Sequence, residues 1–197
     1  MKLNVKYLLP ANSLVFSLLL TTSLITGCAS APKQMVLAPQ LMLNKSNLLA
    51  NKLAQVSVND LRNKIHIIEI LQPDAAAQLI NSASNISQVV NQHFSEALTQ
   101  HGLTISPATD NHITLIINNA EITVQQALLK YTTKGQITLT AKVQSGDQVL
   151  TKTYNSKMNS EGPLKADLAV LERDFNQQLA KLLVQIASDS QIKQFLR

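Results

Sequence analysis

Cys28 is the side chain whose type and setting point most directly to a chemical reaction. It is the only cysteine among the 197 residues of the chain, so it has no partner for an internal disulfide. Lys2 and Lys6 precede an apolar run over residues 14–25, and small residues lead from that run to Cys28. This order of basic, apolar and small residues is that of a secretory signal. The apolar run falls well short of the ~20 residues that a membrane-spanning helix needs.

Residues 24–28 resemble the lipobox of bacterial lipoproteins. In such proteins the cysteine sulfur receives a diacylglycerol group, the signal is cut just before the cysteine, and the new amine receives a fatty acid such as palmitate. The resemblance implies lipid attachment at Cys28. Since each buried CH₂ contributes about 0.8 kcal/mol, two or three acyl chains hold a protein firmly on a membrane. The alternative is an ordinary signal followed by a free thiol, a liability in an oxidising compartment.

The residue after the anchor bears on which membrane is used. Ala29 stands where an aspartate often marks retention in the inner membrane. We therefore expect the outer membrane, with the protein on its periplasmic face. Residues 1–27 are expected to be the lipoprotein signal peptide, 28–33 the acylated cysteine and a short tether, and 34–197 a single periplasmic domain.

Other side chains that could do chemistry are scattered. Of the four histidines, His66, His93, His101 and His112, only His93 and His101 share a predicted helix, and they are eight residues apart. A pair that grips one metal ion from adjacent turns has i, i+4 spacing. The carboxylates show no spacing typical of an acid–base pair, and a phosphate-binding glycine loop and a GxSxG motif are both missing from the sequence. We expect no catalytic residue, no metal site and no cofactor, and hence no enzyme.

A concentration of positive charge surrounds a predicted hairpin. Lys142 and Lys152 lie on it, with Lys130, Lys134 and Lys157 near its ends. Such a strip suits lipopolysaccharide, acidic lipid or peptidoglycan. The alternative is a solvated sheet face on which lysine discourages edge-to-edge pairing. The whole chain is only slightly basic once the signal is removed, and its charges are not clustered as nucleic-acid binding requires.

The strands and helices that position these groups follow from hydrophobic periodicity. Residues 34–43 are apolar and extended in character, and a strand there would lie at an edge or break at Pro39. Further strands are predicted near Val56 and Val58, over 65–71 and through much of 112–158. The buried parity switches at residues 118–119, which predicts a bulge, a bend or a tight turn, and residues 145–147 predict a hairpin turn. Helices are predicted over 84–100 and from about residue 165. This order predicts an α+β fold, a mainly antiparallel sheet with two helices packed on one face as a two-layer sandwich.

Most of the mature sequence resembles, in order, the YajG family of bacterial lipoproteins. The segments that carry the resemblance are the lipobox, residues 37–39, Gly102 with Pro107, residues 113–117, Tyr131, Tyr154, residues 159–162 and residues 189–195. The family implies a lipoprotein of unknown role and supplies no catalytic residues.

The anchor and the motif-free domain together predict a non-catalytic binding or assembly component of the outer membrane. The expected partners are the membrane, through the lipid, and an envelope protein, peptidoglycan or a lipid. One alternative is a carrier that holds an apolar or lipid ligand between the sheet and the helices. A hydrolase is a further alternative, which polar residues with shifted pKa values in a cleft would support.

Overall fold

The computed structural model describes residues 33–196, which belong to one compact unit. Cys28 and residues 29–32 of the tether lie outside this range. In chain order, the elements of the described residues are β1 (Leu53–Asp60), β2 (Ile68–Leu71), β3 (Gln78–Ile80), α1 (Ile86–Gln100), β4 (Thr104–Ile105), β5 (Asn111–Gln126), β6 (Lys130–Ser145), β7 (Gln148–Pro163), α2 (Leu168–Ala187) and α3 (Ser190–Phe195). No helix within residues 33–196 combines the length and the apolar character needed to cross a bilayer.

Strand β5 is the centre of the sheet. On one side it pairs antiparallel with β6 over its whole length, and β6 pairs antiparallel with β7. On the other side β1 runs parallel to the first half of β5, and β2 runs parallel to the second half. Strand β4 pairs with β1 in parallel, and β3 pairs with β2 antiparallel. The sheet is therefore mixed, and the prediction of a mainly antiparallel sheet is wrong.

The error has a physical cause. Alternation in a strand shows which face is buried, but it carries no information on the direction of the neighbouring strand. Between β1 and β5 the chain passes through α1, and a connection that crosses one face of a sheet in this way brings the next strand back in parallel. The α+β class and the two long helices are confirmed, with α1 and α2 in contact with each other and with the sheet.

The irregularity predicted in β5 at residues 118–119 is confirmed, and of a bulge, a bend or a tight turn it is a bulge, at Asn118. Ile117 pairs with Leu139 and Asn119 pairs with Thr138, so Asn118 is the extra residue. Without it, a one-residue shift would turn the second half of the strand inside out. Because of the bulge, the apolar side chains on both halves face the core, namely Ile113, Leu115, Ile117, Ala120, Ile122 and Val124.

The two long helices begin at side-chain caps and bury one face each. The carboxamide oxygen of Asn85 accepts hydrogen bonds from two backbone N–H groups at the start of α1, and the Asp167 carboxylate accepts one at the start of α2. Phe94 on α1 and Phe175 on α2 are fully buried at the centre of these faces. The predicted hairpin is also confirmed, with Gly146 at φ +58° in the two-residue turn between β6 and β7.

Residues 33–43 form an extended segment that we call the strap. Apart from one isolated bridge between Met35 and Ser82 it forms no strand, so of the two forms considered for residues 34–43 the structure has an extended segment and not an edge strand. The backbone N–H of Val36 donates to the Glu172 carboxylate at 2.7 Å, and Asn176 exchanges two hydrogen bonds of 2.9 Å with the strap backbone. The strap thus satisfies its backbone polar groups partly with side chains of α2.

Candidate functional site

Of the four histidines, His93 lies on α1 and His101 at its C-terminal cap, whereas His66 precedes β2 and His112 lies on β5. Within residues 33–196, no group of three or more His, Asp, Glu or Cys side chains is placed to hold a metal ion. His93 lies beside Glu96 on α1 at 3.4 Å. His101, by contrast, is buried with 4% of its surface exposed, and its ring contacts two serines.

His101 joins three segments near the end of α1. Its Nδ1 lies 2.6 Å from Ser46 Oγ, and its Nε2 lies 3.4 Å from Ser188 Oγ just after α2. Its carbonyl accepts from the Leu49 N–H at 2.8 Å. In serine hydrolases a histidine activates a neighbouring serine as the nucleophile, and an orienting group, usually a carboxylate, holds the other nitrogen of the histidine. Here that position holds the neutral hydroxyl of Ser188, so the contacts support a structural role.

The buried position of His101 predicts a pH dependence of stability. Burial and, to a smaller extent, the positive charge of Lys193 lower the pKa of His101 below its ordinary 6.5. The unfolded chain therefore takes up the proton at a higher pH than the folded chain. We expect the free energy of unfolding to fall as the pH drops below about 6.5, with a slope of at most ~1.4 kcal/mol per pH unit. Urea unfolding of wild type and His101→Gln between about pH 7.5 and 5.5 measures this slope, which the substitution should flatten.

A cluster of polar groups around Asp189 joins α3 to strand β7 of the sheet. The Asp189 carboxylate caps α3, accepting from Gln191 N–H at 2.8 Å and Ile192 N–H at 3.3 Å. It also accepts from Tyr154 Oη at 2.8 Å and from Lys152 Nζ, both on β7. Burial alone would raise the pKa of Asp189, but these donors outweigh it and hold the pKa at about 2. Burial and Asp189 together raise the pKa of Tyr154. Because the carboxylate oxygens already accept hydrogen bonds from the protein itself, Asp189 is better suited to holding α3 in place than to acting as a general base.

The structure divides the predicted lysine strip. Lys152 lies on the helix-covered side and pairs with Asp189, whereas Lys130 lies at the loop end of β6. Lys134, Lys142 and Lys157 share the opposite side of the sheet and are exposed. The alternation of side chains along a strand could have shown this. Lys142 lies opposite Thr151 on the open side of the sheet, whereas Lys152 lies opposite Ala141, which is buried on the helix-covered side.

We call that opposite side of β1, β5, β6 and β7 the open face. Its side chains are mainly hydroxyls and amides that lie beside one another in register, as in the row Ser57, Thr114, Lys142 and Thr151. Neighbours are joined by hydrogen bonds across the strands: Ser57 to Thr114 at 3.1 Å, Thr140 to Thr153 at 3.1 Å, Thr138 to Asn155 at 2.8 Å and Thr140 to Asn118 at 2.7 Å. The result is a wide polar surface whose side chains hold each other in place.

An apolar groove of about 420 Å³ lies between the strap and α2. Met42, Ala180 and Val184 line it, together with the stems of Gln40 and Lys181. It is an open surface groove on α2, whereas the predicted carrier would hold its ligand between the sheet and the helices.

The loop between β5 and β6 presents leucines to solvent, a feature that the sequence analysis missed. Leu128 is 91% exposed and Leu129 71%, and Leu164, which follows β7, is 65% exposed. The N–H of Leu164 donates to the carbonyl of Leu129 at 2.8 Å, so the two segments are adjacent. We call these three leucines the apolar tip. Two leucines at the turn of a hairpin, where Gly, Asn or Asp are usual, are the signal that could have identified it.

The buried side chain of Gln126 holds the apolar tip together. Its Nε2 donates to the carbonyls of Ala127 at 2.8 Å and Leu164 at 2.7 Å, and its Oε1 accepts from the N–H of Ala166 at 3.1 Å. One side chain thus links the β5–β6 loop to the connection between β7 and α2. The leucines project from a fixed backbone and not from a free loop.

Comparison with known proteins agrees with this fold. The profile of a family described as uncharacterized lipoprotein matches residues 39–197. No curated protein matches the sequence. Among solved structures, a Xanthomonas campestris protein of the family DUF330 is 15% identical with a TM-score of 0.60, over 82% of this chain and 96% of that chain. A Helicobacter pylori protein described as a neuraminyllactose-binding hemagglutinin homologue is 9% identical with a TM-score of 0.50, over 79% of this chain and 95% of that one. At such identities the likeness concerns the fold alone.

Proposed function

This chain belongs to the family of uncharacterized lipoproteins of the YajG type, and from that premise we propose that it is a non-catalytic binding component of the bacterial envelope. Family membership implies an envelope protein anchored to a membrane. In our proposal Cys28 carries the lipid, the domain lies on the periplasmic face of the outer membrane, and its partner is peptidoglycan. The observation that carries the proposal is the open face.

The chemistry of the open face suits a glycan with peptide stems. Sugar hydroxyls and N-acetyl amides pair well with the threonine, serine, asparagine and glutamine side chains that dominate this surface. The ammonium groups of Lys134, Lys142 and Lys157 can face the carboxylates of the stems. Strands β6 and β7 have 16 residues each, so the face extends over about 50 Å, enough for several sugars of an extended polymer.

The polar groups on the helix side of the sheet support a non-catalytic role. Asp189 is occupied by four donors of the protein, and the second nitrogen of His101 faces Ser188 and not a carboxylate. Hydrogen bonds that close a structural cluster leave few lone pairs for a substrate. The shifted pKa values of these residues follow from packing, as they often do in structural networks.

Co-sedimentation with purified, insoluble peptidoglycan tests the proposal. We expect the wild-type domain to sediment with it, and Lys134→Glu with Lys157→Glu to weaken binding roughly tenfold, because attraction to the stem carboxylates becomes repulsion. The matched control reverses two exposed lysines away from the open face, Lys45→Glu with Lys181→Glu. It makes the same change of net charge and should bind like wild type. Failure of the wild type to sediment, or equal losses in both pairs, would refute the proposal.

A further inference from the structure

We infer that the apolar tip inserts into the headgroup region of an anionic phospholipid membrane and so orients the domain on it. The inference uses the lipid anchor of the proposed function, but it does not depend on peptidoglycan binding. It assigns a membrane contact to three side chains far in sequence from Cys28.

Exposure and rigidity are the first support. Leu128, Leu129 and Leu164 are each exposed by more than 60%, and they are brought together by the hydrogen bond between the backbones of Leu129 and Leu164. A single exposed leucine is ordinary on a protein surface, whereas grouped apolar side chains mark interaction sites. Since Gln126 fixes the backbone beneath them, their insertion would not require a mobile loop to become ordered, which would weaken binding.

Positively charged residues next to the apolar tip favour an anionic membrane as its binding partner. Lys130 follows Leu129 directly and Lys165 follows Leu164 directly, and both lysines are exposed. Apolar side chains surrounded by lysine are typical of surfaces that lie in the interface of a membrane with anionic lipids. The lysine stems can extend along the acyl boundary while their ammonium groups reach the phosphates. An acidic protein groove would also attract lysine, and binding to lipid vesicles separates these two occupants.

The path of the chain toward the anchor is the third support. The strap contacts Glu172 at Val36 and then Asn176 at Ala38, so it runs parallel to α2. It therefore enters from the end of α2 that follows Leu164, the end that carries the apolar tip. Cys28 lies only five residues before Lys33, which is a reach of at most about 18 Å. A lipid at Cys28 would then hold this end of the domain, tip included, close to the bilayer.

Binding to vesicles tests the inference without the covalent lipid. All described elements and the core lie within residues 33–196, so a chain of residues 29–197 retains the complete fold. We expect it to float with vesicles of equal parts phosphatidylethanolamine and phosphatidylglycerol, and to bind pure phosphatidylcholine vesicles more weakly. Leu128→Ser with Leu129→Ser should weaken binding to the anionic vesicles about tenfold or more, because two apolar side chains no longer leave water.

The matched control replaces two leucines of similar exposure elsewhere, Leu48→Ser with Leu61→Ser, which are 64% and 63% exposed. It should bind vesicles like wild type. Lys130→Glu with Lys165→Glu should remove the preference for anionic vesicles. A wild-type chain that does not float, or tip variants that float as well as the control, would overturn the inference and leave an acidic protein partner as the occupant. Because the tip variants keep the open face, their sedimentation with peptidoglycan should be unchanged, so each proposal can fail separately.

Discussion

Replacing Cys28 with serine is expected to abolish incorporation of palmitate into the protein and to leave the precursor uncleaved. The hydroxyl is a much weaker nucleophile than the thiolate that receives the diacylglycerol group. Without that modification the cut before residue 28 does not follow. Metabolic labelling with palmitate, together with the intact mass of the purified protein, measures both effects. We expect complete loss of label, the largest change that any single substitution in this chain should cause.

A second variant removes the lipid attachment site but keeps secretion to the periplasm. A chain whose residues 1–28 are replaced by an ordinary cleavable secretory signal should appear in the soluble periplasmic fraction. The apolar tip offers only reversible attachment, since three partly inserted leucines bury far fewer CH₂ groups than two or three acyl chains. Palmitate labelling of the Cys28→Ser protein, or a lipid-free chain that stays fully with the outer membrane, would contradict the assignment of Cys28 as the anchor.

The elements that the sequence predicted well are those with long, repeated patterns. Helix α1 was predicted over 84–100 and lies at Ile86–Gln100. The bulge at Asn118 was predictable because a strand's parity changes for few other reasons. By contrast β3, of three residues, and β4, of two, are too short to show any period, and they exist because β2 and β1 offer them an edge. The parallel pairing of β1 with β5 depends on long-range topology.

The candidate surfaces were less predictable than the fold. Counting lysines near the hairpin combines residues of both faces, and strand parity separates Lys142, which faces solvent, from Lys152 on the helix-covered side. The contact of Lys152 with Asp189 depends on the position of α3 and is seen only in the structure. The apolar tip was missed because two adjacent leucines resemble the rest of an apolar strand. The backbone beneath it is held by Gln126, whose hydrogen bonds to Leu164 and Ala166 join residues 38 and 40 positions apart and therefore leave no local pattern in the sequence.

Asp189→Ala is expected to be the most destabilising of the polar substitutions in the described fold. It removes the cap of α3, worth about 1 kcal/mol, and it leaves the buried hydroxyl of Tyr154 and the ammonium group of Lys152 without their acceptor. Only the Tyr154 hydroxyl stays buried, since the Lys152 side chain is 28% exposed and can be hydrated, and an orphaned buried donor costs ~1–3 kcal/mol. We expect a total loss of about 2–4 kcal/mol, measured by urea unfolding. The buried contacts of Ile192 and Leu196 should loosen with α3, visible as faster amide hydrogen exchange at the C-terminus.

Asp167→Ala is the matched control, because it removes the same residue type from the cap of α2. Asp167 is exposed and caps through one backbone N–H at 2.9 Å. Within residues 33–196 its side chain bonds to no second element, so its loss should cost only about 1 kcal/mol. Equal effects of the two substitutions would show that the bonds from Lys152 and Tyr154 on β7 add no stability and that Asp189 acts only as a helix cap.

The stabilising effect of the Asp189 charge should disappear in acid, and the direction follows from its pKa. The pKa of Asp189 is about 2 in the folded chain, below its ordinary value of 3.8. The contribution is therefore fully present above about pH 4 and is lost as the pH falls through the folded pKa near 2. Asp189→Asn keeps the shape but not the charge, so its stability difference from wild type should be constant from about pH 7 to 5 and shrink below about pH 4. If the stability difference between wild type and Asp189→Asn stayed constant into acid, the shape of the Asp189 side chain, and not its charge, would be what holds α3 against β7.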